Sequence, residues 1–369
     1  MESYAAELFQ HSPSVVLRIL QNFSCRDLKR LSLVCRTWKL YSERICSNRQ
    51  GVAGFSVCKP MKNSKWQALV DLEEAQHYVR DLGFSTELVI SFGKVPLSKP
   101  CTGGHDLTAL RAILPPSTNV ISFLCSAGMI GVDVSEQILK EVQDPKRECL
   151  SNLFLSSLEG LEVFSFRLSL HDFESSTKRG EFGSKEVEQL LGVPEDKQVR
   201  GVLMGTSGYV PTAVGEAVAR AFWMKEGGRL AFCGGVADMI MEVSSNTSSA
   251  EERGLMGVAF CGSSVRAASV VLTPEVGSKK RVLEKLVDLK RFYDALPRAP
   301  AHAFALSFAC AGRGKRLFGR ENVETDAFAN SSPISPCAAS SPWANTDGIS
   351  SITLPISRCP LVLAWPTPQ

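Results

Sequence analysis

No CxxC pair occurs among the twelve cysteines of this 369-residue chain, and its five histidines stand at no metal-ligand spacing beside them. That excludes the common zinc folds, and neither a metal nor a cofactor is expected. The cysteines lie singly and far apart, mostly inside apolar runs such as Phe123-Leu124-Cys125 and Ala259-Phe260-Cys261. Free cysteine behaves as a small buried hydrophobe, so reduced thiols are expected rather than a disulfide frame. No apolar run approaches the ~20 residues that cross a bilayer. The opening Met1-Glu2-Ser3-Tyr4 lacks the basic-then-apolar order of a secretory signal. Charge of one sign is also missing. Lys and Arg number 41 against 38 Asp and Glu, a net charge of +3 spread along the chain. Such a balance gives no electrostatic reason to expect nucleic acid or an anionic membrane as partner. Neither G-x-G-x-x-G opening a helix nor GxxxxGK[ST] occurs, so the usual dinucleotide and nucleotide cradles are absent.

What is present fits a soluble globular protein of the cytosol, the nucleus or both. Hydrophobic residues make up 44% and charged residues 21%, and the length leaves room for two or three domains of roughly 100–200 residues. The first 50 residues read as helices. Ser12 can cap, Pro13 suits a first helical position, and Val16, Leu17, Leu20 and Phe23 recur at three- and four-residue steps. Ser24 offers a second cap ahead of Arg26–Leu31, and Leu31–Ile45 sets Leu31, Val34, Cys35 and Trp38 along a third apolar stripe. Three helices in about 40 residues cannot bury all of that surface alone, which is how a partner-docking module reads.

From residue 67 onward, short β-branched or aromatic runs alternate with helical patterns. Strands are expected at Leu88–Phe92, Val120–Cys125, Val163–Leu168, Val199–Gly205, Arg229–Cys233, Gly257–Phe260, Ser269–Leu272 and Ala303–Cys310. Helices are expected at Leu69–Leu82, Val134–Val142, Ala213–Met224 and Lys279–Leu296. The fold class is therefore α+β, a helical front followed by an α/β body. Polar stretches at 169–197 and 244–253 read as surface excursions. Gly-rich runs at Gly201–Gly208, Leu230–Gly235 and Phe308–Gly314 fit either tight turns or a phosphate-holding backbone. Cys310 beside Arg313 invites a nucleophile reading, but no base has a predictable place near it: His302 starts the same strand, and His77, His105 and His171 lie elsewhere. Glu321, Glu324 and Asp326 read as a solvated helix face. No catalytic residue is assigned. The last forty residues, 330–369, hold seven prolines and eight serines with only Asp347 and Arg358 charged, and follow no period; poor order is expected there.

The order Pro13…Val16-Leu17…Ile19-Leu20…Phe23…Asp27-Leu28…Leu31-Ser32-Leu33-Val34-Cys35-Arg36-Thr37-Trp38 resembles an F-box. The Leu-Ser-Leu-Val-Cys-Arg-Thr-Trp run is its specific part, and Ser12 departs from the leucine common before the proline. The resemblance implies docking onto the Skp adaptor of a Skp–cullin–F-box ubiquitin ligase. It places Pro13, Leu17, Leu20, Leu28, Leu31, Val34 and Trp38 against either that adaptor or the module's own small core. The body is similar to the FIST domain pair. The likeness is carried by segments around 67–190, by Gly257-Val258-Ala259-Phe260-Cys261-Gly262, and by Phe308-Ala309-Cys310-Ala311-Gly312-Arg313-Gly314 with Asn322-Val323-Glu324-Thr325-Asp326-Ala327-Phe328 after it.

These likenesses divide the chain into an F-box at 5–50, a linker at 51–66, a FIST N-like half at 67–192, a FIST C-like half at 193–329 and a tail at 330–369. The body is thus expected as two related halves. Past residue 329 the family continues into glycine-rich strands, whereas this chain enters its Ser/Pro-rich tail. The second half is therefore expected to be truncated, with a sheet edge exposed. The function implied is that of a non-catalytic adaptor in the cytoplasm and nucleus. Such a chain binds Skp, and through it cullin and RING subunits, and its FIST body holds target proteins for ubiquitination and proteasomal degradation. Two alternatives stay open: a small-ligand-sensing module, and an enzyme using Cys310 or the Gly-rich runs.

Overall fold

The computed structural model of the chain describes residues 12–60, 73–80, 82–94, 103–125, 129–133, 138–142, 147–168, 192–227, 230–243, 250–272, 276–296, 300–308, 315–331, 349–354 and 360–366. Three short helices open it: α1 (Pro13–Leu20), α2 (Cys25–Leu31) and α3 (Arg36–Asn48). Pro13 takes the first turn of α1, where its missing N–H leaves no bond unmade. Ser24 caps α2, its hydroxyl oxygen accepting from the Asp27 N–H at 3.1 Å. The third helix was expected from Leu31, but Leu31 ends α2 and a turn intervenes. Cys35 then caps α3, its sulfur accepting from the Trp38 N–H at 3.5 Å.

The body is one strand-and-helix unit built three times. The first contains β1 (Val52–Pro60), α4 (Glu73–Arg80), β2 (Leu88–Lys94), α5 (Gly103–Ile113) and β3 (Asn119–Cys125). It then runs through a hairpin, β4 (Met129–Asp133) and β5 (Ile138–Val142), to β6 (Arg147–Leu155). The second contains β7 (Glu162–Leu168), β8 (Val199–Ser207), α6 (Thr212–Lys225), β9 (Ala231–Ala237), β10 (Met239–Val243), β11 (Glu251–Arg253) and β12 (Leu255–Cys261). The third contains β13 (Arg266–Ser269), α7 (Lys279–Asp294), β14 (Pro300–Phe308), α8 (Lys315–Phe318), α9 (Val323–Ser331), β15 (Ile349–Leu354) and β16 (Pro360–Pro366).

Strand orders repeat with the units: β1-β6-β2-β3, β7-β12-β8-β9 and β13-β16-β14-β15. In each, the first two pairings are antiparallel and the last is parallel, with helix between the parallel strands in the chain. Hairpins tie the units together. Strands β10 and β11 extend the first sheet beyond β3, and β4 and β5 extend the third beyond β15. Two related halves were expected; a third unit of the same topology accompanies them.

All three sheets turn one face to a shared core. Phe92 and Phe123 come from the first sheet, Leu203 and Phe260 from the second, and Phe304 and Leu306 from the third. Phe260 and Phe304 meet edge to face at 5.8 Å between centroids. The outer faces are covered by helices: α4 and α5 over the first sheet, α6 over the second, α7 and α9 over the third. Burial on both faces explains why β2 and β12 read as continuous apolar runs rather than alternating ones.

The Gly-rich runs at 201–208 and 230–235 lie largely within β8 and β9, so they are neither turns nor phosphate cradles. A Cβ at Gly205 would strike the Phe123 ring of the first sheet, and one at Gly234 the carbonyl oxygen of Met204. Other expectations are also revised. Residues 138–142, expected in a helix, are β5; the supposed linker at 51–66 opens with β1; and 251–253, expected in a loop, are β11. The stretch 169–191 and the run 309–314, with Cys310 in it, lie outside the described residues.

The tail, expected to lack order, is described over two strands only. Those strands flank β14 on its two sides, so the expected bare edge is not found at β14. Reduced thiols hold for Cys25, Cys35, Cys46, Cys125, Cys233 and Cys261, but Cys149 is disulfide-bonded and stands opposite Cys58 in the β1–β6 ladder. Among the described residues no group of side chains could hold a metal ion, and no helix is long and apolar enough to cross a membrane.

Candidate functional site

The helical front has a core and a remainder. Val16, Leu20, Leu28 and Ile45 are fully buried together, with Leu17, Leu31, Trp38, Tyr41 and Cys46 packed half-buried around them. In α1 the buried stripe is Val16 and Leu20, one helical turn apart. Directly beside it run Val15 and Ile19, also four residues apart, with Phe23 in the turn after the helix, and all three stay partly exposed. A helix apolar on two adjacent stripes is covered here on one of them.

Exposure is greatest at the α2–α3 turn. Leu33 is 86% exposed, Val34 64%, and Leu40 on α3 66%. Backbone geometry forces the turn outward. The N–H groups of Leu33 and Val34 donate to the carbonyls of Arg30 and Leu31 at 3.1 Å each, and the Ser32 hydroxyl donates to the Lys29 carbonyl at 2.6 Å. These bonds satisfy the end of α2 while leaving two large apolar side chains in water. At about 25 cal/mol per Å² of apolar surface removed from water, that exposure is worth covering.

Of the residues singled out from the sequence, Leu20 and Leu28 lie in the module's core, and Leu17, Leu31 and Trp38 at its edge. Pro13 and Val34 lie at the surface. The structure adds Val15, Ile19, Leu33 and Leu40 to the exposed apolar set. Spacing could have revealed Val15 and Ile19, since they repeat one position ahead of Val16 and Leu20. Leu33 and Leu40 had no such signal.

Among the described residues, the Arg49 guanidinium and the Cys25 thiol link the module to the body. Arg49, just past α3, donates to the carbonyls of Gln21 and Phe23 at 2.6 Å each and to that of Gly83, in the body, at 3.3 Å. Cys25 donates through sulfur to the same Gly83 oxygen at 3.1 Å. The Cys25 thiol is pulled below its ordinary pKa, chiefly by the hydrogen bond from Cys46 and against burial, with Arg49 and Lys29 helping; Cys46 is pushed up by the same bond.

Among the described residues of the body, no catalytic groups gather. His77 is exposed on α4, His302 is half-buried on β14, and the side chains of His105 and His171 lie outside the described residues. Glu321 and Asp326 are exposed as expected, but Glu324 is buried on α9. Burial drives the Cys125 thiol up to about 12, with the Asp238 charge adding to it, and the Cys261 thiol up to about 12 as well. Neither is an activated nucleophile.

Residues 8–49 match the F-box domain model. The chain is 23% identical over 346 residues to F-box only protein 22 of Homo sapiens, a match covering 87% of this chain and 81% of that protein. It is 22% identical over 345 residues to F-box only protein 22 of Pongo abelii, with the same coverage. Among solved structures, cyanuric acid hydrolase from A. caulinodans overlaps 86% of this chain and 100% of its own at 10% identity and a TM-score of 0.38, a likeness too slight to bear on activity. The chain carries an F-box domain at residues 8–49, and along most of its length it is similar to F-box only protein 22.

Proposed function

We propose that this chain is a substrate-recognition subunit of a Skp–cullin–F-box ubiquitin ligase. The observation that carries this reading is the uncovered apolar surface of the F-box, with Leu33, Val34 and Leu40 mostly exposed over a core already closed by Val16, Leu20, Leu28 and Ile45. A partner of the Skp type covers that surface and brings cullin and RING subunits with it. Val34, Pro13 and the outer stripe of α1 face the adaptor, while Leu20 and Leu28 hold the module's shape from within. Leu17, Leu31 and Trp38 lie between these two roles.

The FIST-type body presents target proteins, and ubiquitin transfer is catalysed by other subunits, so this chain contributes proximity and not bond chemistry. The complex works in the cytoplasm and the nucleus and sends its targets to the proteasome. Co-purification of Skp and cullin subunits with the intact chain, and their loss when residues 1–50 are removed, tests the reading. Equal recovery with and without those residues would overturn it.

A further inference from the structure

The three units hand hairpins to one another in a cycle, and the cycle has a gap. The equivalent edge strands of the three four-stranded repeats are β3, β9 and β15. The hairpin that follows β3, β4–β5, pairs with β15, and the hairpin that follows β9, β10–β11, pairs with β3. By the same rule a hairpin following β15 would pair with β9. Only five residues, 355–359, separate β15 from β16, too few for two strands and a turn; β4 and β5 run from Met129 to Val142, and β10 and β11 from Met239 to Arg253. Among the described strands β9 therefore ends its sheet, with β8 on one side and no strand on the other. Burial follows the gap. On the covered strand β3, Val120–Cys125 are all buried, whereas on β9 only Ala231, Cys233 and Ala237 are, and Val236 is 39% exposed. The Phe232 N–H is not spent on β8 and donates to the Ser269 hydroxyl at 3.4 Å. By the two-residue alternation of a strand, Val236 turns its N–H to that same outer side.

We propose that β9 takes a target protein by strand addition: a short, extended, apolar segment of the target runs antiparallel to β9 and closes the cycle. The two filled edges define this occupant. On β3 lies β10, Met239-Ile240-Met241-Glu242-Val243, antiparallel through all five residues; on β15 lies β4, Met129-Ile130-Gly131-Val132-Asp133, also antiparallel. Both strands are apolar, begin Met-Ile and carry one acid near the end. Backbone pairing supplies the affinity. Alternate side chains of the added strand reach the inner face beside Ala237 and the outer face beside Val236.

Other segments of this chain do not fit that description. The stretch 169–191 is polar, and 332–348 is interrupted by Pro333, Pro336 and Pro342, which cannot donate to a ladder. A second copy fits no better, because β9 laid antiparallel on itself sets Gly234 and Gly235 against their own counterparts, with no side chains to pack. Strand addition here rests on the proposed role of the body in holding targets, and gives that role an edge and a ligand class.

The test titrates the full-length chain into a dye-labelled peptide, Met-Ile-Met-Glu-Val flanked by lysines, and follows anisotropy, with hydrogen exchange read on the complex. Saturable binding is expected, with exchange slowed at residues 232–237. Val236→Pro, which removes the outer N–H, should weaken binding roughly tenfold. Val236→Lys leaves the backbone intact at an exposed position and should weaken it severalfold. Absent saturation, protection elsewhere in the chain, or unchanged affinity in both variants overturns the proposal. So does a dimer of the chain that dissociates on Val236→Pro, which would give the edge to a second copy. Exchange in the parent chain needs no variant, so poor folding of Val236→Pro does not blunt the test. Skp capture by the same samples reads the ligase role separately: capture without peptide binding discards the open edge alone, and peptide binding without capture discards the ligase reading.

Discussion

Arg49 donates to the carbonyl oxygen of Gly83 at 3.3 Å while the same side chain holds Gln21 and Phe23 at 2.6 Å, so this residue, beside the Cys25 thiol, ties the F-box to the sheet body. The three acceptors are backbone groups, and the guanidinium fork reaches all of them from a single position. Hydrogen bonds from a charged donor are worth about 1.5–3 kcal/mol. Arg49→Ala is expected to cost about 2 kcal/mol in denaturant unfolding and to raise hydrogen exchange across residues 21–25 and 82–87. Arg49→Lys should recover little of the loss, because an ammonium cannot bridge the same spread of acceptors.

Glu242 holds a second junction. From β10 of the first sheet it accepts from Arg167 on β7 of the second at 3.0 Å and from Arg253 on β11 at 2.8 Å. Its side chain is 11% exposed, whereas Arg167 is 59% exposed, so solvent screens one of the two pairs. Glu242→Gln is expected to lower stability by about 1–2 kcal/mol, a value between those of surface and buried pairs. A urea melt of the variant checks this, and the effect should shrink at high salt.

Alkaline pH should weaken the fold through Cys125. Burial raises its pKa from 9.0 in the open chain to about 12 in the folded one. Between those values the unfolded chain has lost the proton and the folded chain keeps it. Stability is therefore fully present below pH 9 and falls as pH rises toward 12, at up to about 1.4 kcal/mol per pH unit for one thiol. Cys125→Ala removes this contribution, so its stability should vary less with pH across that window, measured as urea midpoints against the parent.

Removing residues 349–369 strips β14 of its parallel neighbour β15 and its antiparallel neighbour β16. Phe304 and Leu306 of β14 belong to the core shared by all three sheets, so the damage reaches beyond the third unit. The shortened chain is expected to lose its single cooperative melt and to aggregate through the bared edges. Calorimetry and light scattering read both effects.

Much of this architecture was legible where hydrophobic runs were long. Leu88–Phe92, Val120–Cys125 and Val199–Gly205 fall within strands because burial on both sheet faces leaves nearly unbroken apolar stretches, while Val163–Leu168 falls in the more exposed β7 and Ala213–Met224 within a helix. Strand β6 was missed because Arg147, Glu148, Ser151 and Asn152 interrupt its run. The segment Ile138–Val142 carries good helix formers, yet pairing with β4 makes it strand; ladder bonds outweigh a propensity worth tenths of a kcal/mol per residue. The threefold plan was not readable either, since the units share strand order and direction and not a spaced motif. At the F-box, apolar periodicity located the helices. Which stripe of α1 faces inward is set by packing of Val16 and Leu20 against Leu28 and Ile45, residues brought together from three helices, and the seat on the body joins residues 34 and 58 positions apart.

On the function proposed above, exposed apolar side chains of the F-box, and not its core, receive the adaptor. Titrating purified Skp adaptor against the full-length chain, its Leu33→Asp and Val34→Asp double variant, and Leu28→Ala tests it most directly. The double variant should lose at least tenfold in affinity while its melting temperature stays near that of the parent, since surface changes usually lie within about 0.5 kcal/mol. Leu28→Ala should instead lower stability by about 2–5 kcal/mol. Unchanged adaptor affinity in the folded double variant would contradict the account.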